Sequence, residues 1–131
     1  MFRTLEHPRA PSAAELQLLS RLIGGAGQEL IDQVVAGMVI GECRCGCSSV
    51  ELTSTAQPLP ESTVTRLSPS GRLDYLSLSS TGLDPAGHRI DLVLHVVDGV
   101  LHELEVFDTE GGEGIPVDLS TLILLDPPDV D

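Results

Sequence analysis

The chain contains no tryptophan, no lysine and no asparagine, and its only aromatic residues are Phe2, Tyr75 and Phe107. A core built without aromatics has to be filled by leucine, valine and isoleucine. No apolar run approaches the roughly 18 residues of a membrane-spanning helix, which argues against a membrane span. The opening stretch MFRTLEHPRAPSAAEL lacks the continuous apolar segment of a secretory signal. Three cysteines within five residues do not form the spaced framework of a secreted disulfide protein. Together these absences predict a cytoplasmic protein.

Positive charge is scarce too. Seven arginines stand against twenty acids, a net charge of −13. Residues 1–72 hold seven acids against six arginines, net −1, whereas residues 73–131 hold thirteen acids against one, Arg89, net −12. Nothing here resembles a basic nucleic-acid footprint. An acidic half suits a basic protein partner or a cation.

What is present reads as one globular domain of 131 residues. Ser12-Ala-Ala-Glu15 is a capping-box pattern, and Leu16, Leu18, Leu19, Leu22 and Ile23 follow at helical spacing. Gly24-Gly25 ends that helix. A second helix is expected from about Gln28 to Ala36, with Gly37 behind it. Met38–Cys43 and Ser49–Thr53 read as a hairpin with the cysteines at its tip. Residues 1–11 and 126–131 are expected to be irregular and TAQPLPEST (55–63) a loop. Val64–Leu67 reads as a short strand, Leu73–Ser79 as a longer one, and 81–88 as a turn. Pro116–Leu125 fits either a short helix or a terminal strand.

The strongest local signal is Asp98-Gly99 between two apolar strands, Ile90–Val97 and Val100–Phe107. A two-residue Asp-Gly loop suits the type I′ turn, which needs positive φ at both centre positions. Strict alternation then pairs Val97 with Val100, His95 with His102, Val93 with Leu104 and Asp91 with Val106 on one face. The other face pairs Leu94 with Glu103 and Leu92 with Glu105. Helices preceding strands give the expected fold class: α+β, two N-terminal helices packed on an antiparallel four- to six-stranded meander.

Cys43, Cys45 and Cys47, with His95 and His102, are the candidate zinc ligands, because thiolate and imidazole are what zinc takes. The C-x-C-x-C spacing is unusual. In an extended strand each step is about 6–7 Å, too far for shared ligation. A tight turn at Gly46 would bring two of the three together. The alternatives are thiol-redox chemistry, with one thiol activated by Arg44 or a histidine, and small reduced residues that simply pack. The acidic loop DTEGGEG (108–114) departs from the EF-hand calcium pattern and reads as a solvated turn. No phosphate-binding loop, serine elbow or H-E-x-x-H metal motif is present, which argues against an enzyme.

Two short helices followed by VIGECRCGCSSVEL and LHVVDGVLHELEVFDTEG resemble a group of small high-GC, actinobacterial-type proteins with no established activity. The resemblance covers about residues 26–125. It implies a bacterial cytosolic protein and carries over no catalytic residue. The expected function is a small acidic binding or regulatory module, immunity- or antitoxin-like. It would meet a basic partner through Glu103, Glu105, Asp108, Glu110 and Glu113. The alternative is a zinc-binding or thiol-redox protein using the CRCGC segment.

Overall fold

A computed structural model describes residues 2–68 and 70–125, and the backbone of 129–130. Three α-helices and one antiparallel sheet make up the fold, which is α+β. The order is β1 (Phe2–Arg9), α1 (Ala13–Ile23), α2 (Gln28–Val35), β2 (Gly37–Cys43), β3 (Val50–Ser54), α3 (Glu61–Leu67), β4 (Tyr75–Leu83), β5 (Arg89–Val97), β6 (Val100–Asp108), β7 (Ile123–Leu124) and β8 (Asp129–Val130). Seven strands follow one another across the sheet as β1-β2-β3-β6-β5-β4-β7, and β8 shares the β4 edge with β7.

The first two helices form where expected. Ser12 Oγ accepts the Glu15 N–H, and the Glu15 carboxylate accepts the Ser12 N–H, closing the capping box. Leu18, Leu19, Leu22, Leu30 and Val34 from these helices pack on Leu76, Leu78, Ile90, Leu92, Leu94, Val96 and Leu104 of the sheet. Among the described residues every buried hydrophobic one is Leu, Val, Ile or Ala, as the shortage of aromatics requires.

Four expectations are corrected. The N-terminal stretch expected to be irregular contains a strand: 2–9 form an edge strand beside β2, with a register break between Thr4 and Arg9 that accommodates Pro8. The stretch read as a loop and then a strand at Val64–Leu67 contains α3. Pro60 stands just before it, and its Thr63 and Val64 are buried. The helices are therefore not all N-terminal. The sheet is larger than four to six strands and is no simple meander, because β6 returns to pair with β3. Pro116–Leu125 contains both alternatives, a 3₁₀ turn at Leu119–Thr121 and the short β7. The expected irregular end at 126–131 lies largely outside the described residues, apart from the strand at 129–130.

The fourth correction concerns the Asp-Gly hairpin. Its turn is as expected, with φ of 50° at Asp98 and 78° at Gly99. The register holds for Val97–Val100 and Val96–Leu101, then breaks: His95 faces Glu103, Leu94 faces Leu104, and Val93 faces Glu105. His102 is the extra residue of a β-bulge and is exposed. The cause is burial. β5 points Leu92, Leu94 and Val96 inward, while β6 offers Leu101, Leu104 and Val106, whose first spacing is three rather than two. One bulge lets all six face the helices. Without it, Glu103 and Glu105 would point into the core. Beside the bulge, the fully buried Gln33 of α2 accepts the Leu101 N–H and donates to the Ala56 and Gln57 carbonyls.

Candidate metal centre

The cysteines sit where β2 ends and β3 begins. The turn closes through a Gly46 N–H donated to the Cys43 carbonyl at 3.2 Å, and Gly46 adopts φ +94°. Two serines then fix the turn to the rest of the fold. Ser48 Oγ donates to the Val117 carbonyl at 2.9 Å and accepts the Val117 N–H at 2.7 Å. Ser49 Oγ does the same with Val106, at 3.3 and 2.8 Å. Each hydroxyl thus substitutes for a residue's pair of strand hydrogen bonds. The acidic loop completes the seat: a Cβ on Gly114 would lie 2.7 Å from the Cys45 carbonyl, so only glycine permits this approach.

The turn brings all three sulfurs together, beyond the two that a tight turn at Gly46 predicts. Cys43 Sγ and Cys45 Sγ are 2.9 Å apart, and the three Sγ atoms lie within 4.8 Å of one another. Thiolates bound at about 2.3 Å to a tetrahedral zinc would be roughly 3.8 Å apart. All three cysteines are free; Cys45 is exposed and the other two are half-buried. Partial burial and the S–H it shares with Cys45 push the Cys43 thiol up to about 11. The hydrogen bond from Cys43, followed by the Cys47 N–H, draws Cys45 down to about 7. The neighbouring donors thus favour the thiolate form at Cys45 over that at Cys43.

A cavity of about 370 Å³ adjoins the turn, lined by Cys43, Cys47, Arg9, Glu42 and Asp118 among others. Arg9 is held there by two bonds to Glu15, at 2.8 and 3.2 Å. Burial raises the Glu15 carboxyl, but Arg9 and the Ser12 N–H outweigh it and hold Glu15 below the usual range.

The histidines are not part of this centre. No group of ligand atoms at metal-binding separations among the described residues joins His95 or His102 to the cysteines. His95 stands on the sheet face away from the helices. Its Nε2 donates to Glu105 Oε1 at 2.8 Å, and its Nδ1 is hydrogen-bonded to the Tyr75 hydroxyl. Glu103 lies close by, and burial pushes its carboxyl above the usual range. Tyr75, His95 and Glu105 thus form a continuous hydrogen-bonded chain. It was hidden in the sequence because the bulge, not strict alternation, brings Glu105 to His95.

The acids expected to form a partner surface are not alike. Glu103 and Glu105 share the open sheet face, while Glu110 accepts the Arg89 N–H and Glu113 is exposed. Asp108 is only 3% exposed and its oxygens are occupied within the fold. Oδ1 accepts the Glu110 and Gly111 N–H groups, and Oδ2 accepts from His88 Nδ1 at 3.0 Å. Its hydrogen bond from His88 holds the Asp108 carboxyl below its usual range and raises the His88 imidazole in turn. Asp108 therefore pins the acidic loop rather than presenting charge to a partner.

No described helix is long and apolar enough to cross a membrane. No protein-family model matches the chain, and no curated protein or solved structure matches it either.

Proposed function

We propose that the protein is a small thiolate-based metal-binding module, using Cys43, Cys45 and Cys47 as ligands. The observation that carries this reading is the convergence of three sulfurs on a turn anchored from three sides, by Ser48, Ser49 and Gly114. Zinc and other soft cations select such sulfur donors. Packing alone does not require three exposed or half-exposed thiols at one tip, since buried cysteines act as small hydrophobes. The test is elemental analysis of protein purified without chelator. About one metal per chain is expected in the wild type and none when all three cysteines are replaced by serine. A wild type without metal, holding three freely alkylated thiols, sinks the proposal.

A second reading is favoured by the open face of the sheet. Glu51, Glu103 and Glu105 lie there on neighbouring strands without a covering helix's leucines between them. This face would meet a basic protein partner, in an immunity- or antitoxin-like role, in bacterial cytosol. Electrostatic docking of that kind weakens as salt screens the charges. Capture of a basic partner should fall at high salt and in a Glu103→Gln, Glu105→Gln double variant. Recovery indifferent to both removes this reading.

A further inference from the structure

Cys43 and Cys47 are among the residues that line the cavity, while Cys45 is not and is exposed to solvent. A cation held among them would sit at the cavity's lip, with one ligand on the solvent side. No histidine, aspartate, glutamate or further cysteine among the described residues stands with them at metal-ligand separations. A closed structural zinc site takes four protein ligands in a tetrahedron. Here the protein offers three, all sulfur.

Soft sulfur ligands select copper(I) as well as zinc. A monovalent d¹⁰ ion is satisfied by three thiolates in a plane, without a fourth donor. Sulfurs about 2.3 Å from a central ion in that plane would be roughly 4 Å apart; the three Sγ atoms lie within 4.8 Å of one another, and Cys43 and Cys45, at 2.9 Å, would part to admit the ion. Glu42 and Asp118 also line the cavity, but their hard oxygens do not join the sulfur group.

We propose that Cys43, Cys45 and Cys47 form a three-sulfur site for copper(I), loaded from the solvent side through Cys45. The proposal rests on the thiolate reading above and adds the identity of the ion and its coordination number. Loading is a ligand exchange from a copper(I)–thiolate donor. Each donor thiolate leaves copper with its electron pair as a cysteine sulfur bonds to it, Cys45 first and then Cys43 and Cys47, and each cysteine gives its proton to the departing thiolate or to solvent. Copper remains in the +1 state throughout, so no oxidant or reductant enters.

The test uses the full chain, reduced and free of oxygen, titrated with copper(I) against a chromophoric copper(I) chelator, and separately with zinc. One equivalent of copper(I) should be retained, at least 100-fold more tightly than by the Cys45→Ser variant. X-ray absorption at the copper edge should show three sulfur neighbours. Cys45 is exposed, so its serine variant should fold; Cys47→Ser provides a second variant, and unchanged circular dichroism checks both. Zinc bound by three sulfurs and an oxygen, with copper(I) held no better than in Cys45→Ser, overturns the copper site and leaves the thiolate reading standing. Two sulfur neighbours, or one copper shared by two chains, also overturns it. Failure of the full chain to retain either ion overturns both.

Discussion

Two of the hairpin tips of this sheet, at Asp98-Gly99 and at the cysteines, are built on different principles. The Asp98-Gly99 tip is the shortest possible turn, and its positive φ angles suit the two residues in it; it is also tied outward, by the Asp98 N–H to the Asp74 carbonyl and by the Leu59 N–H to the Gly99 carbonyl. The cysteine tip runs over six residues, 44–49, between β2 and β3. Its shape comes from other parts of the chain: Val106 on β6, Val117 beyond it, and Gly114 in the acidic loop. The first tip spends its residues on closing a turn. The second is longer than a turn requires, is held from outside, and exposes thiol chemistry that the core does not need.

The contrast can be broken at several points. The largest stability effect should come from Gln33→Leu, which leaves the buried Leu101 N–H beside the Asp-Gly hairpin unpaired and removes the part-buried bonds to the Ala56 and Gln57 carbonyls. A loss on the order of 3 kcal/mol is expected from urea melts, because each orphaned group costs about 1–3 kcal/mol. Gly99→Ala comes next. Its Cβ would meet Leu59 backbone atoms at 2.7 and 2.9 Å while φ stays positive. About 2 kcal/mol should be lost, in the range for strained positive-φ positions, with thiol alkylation rates unchanged.

Gly114→Ala should reverse that pattern. Its stability cost is about 1 kcal/mol, at the low end for such strain, because a loop can shift more readily than a hairpin. Displacing Cys45 should nevertheless weaken metal retention well beyond what the melting midpoint suggests. If Gly99→Ala and Gly114→Ala affect metal alike, the two tips are not the separate devices described above.

The acidic loop that carries Gly114 is pinned by His88 and Asp108, so its docking should depend on pH. The raised His88 value means its contribution is complete below the ordinary imidazole value of 6.5 and is lost as pH rises through the raised one. The lowered Asp108 value means its contribution is complete above 3.8 and is lost as pH falls through the depressed one. Amide exchange at Glu110 and Gly111 should be slowest relative to His88→Gln between these limits. Equal protection in wild type and variant across that window would remove the latch. The smallest effect belongs to His102→Ala: an exposed bulge residue should change stability by no more than about 0.5 kcal/mol. Its metal content should match the wild type, whereas a loss of metal would restore His102 as a ligand.

Much of the architecture was legible. Capping box, helical stripes, the β2–β3 hairpin and the Asp-Gly turn all rest on interactions between residues near in sequence. The register of β6 was partly legible: Leu101, Leu104 and Val106 cannot share a face by strict alternation, and that mismatch is the mark of a bulge. The edge strand β1 was not, because it holds its shape only by pairing with β2, more than thirty residues away in the register Phe2–Cys43. Helix α3 was masked by the prolines before it and by β-branched Thr63, Val64 and Thr65, whose weak helix preference yields to the burial of Thr63 and Val64. At the candidate site the cysteines could be named from their residue type, but not their partners.

By itself the sequence determined the aliphatic core, the acidic C-terminal half, both N-terminal helices and the turn at Asp98-Gly99, since each depends on composition or on contacts within a few residues. Tertiary structure decided which groups share a site. A bulge forced by burial of Leu104 and Val106 took His102 out to solvent and gave His95 to Glu105. Two serine hydroxyls and one missing Cβ, all supplied across the fold, turned a spacing too wide for shared ligation into three sulfurs within reach of one ion.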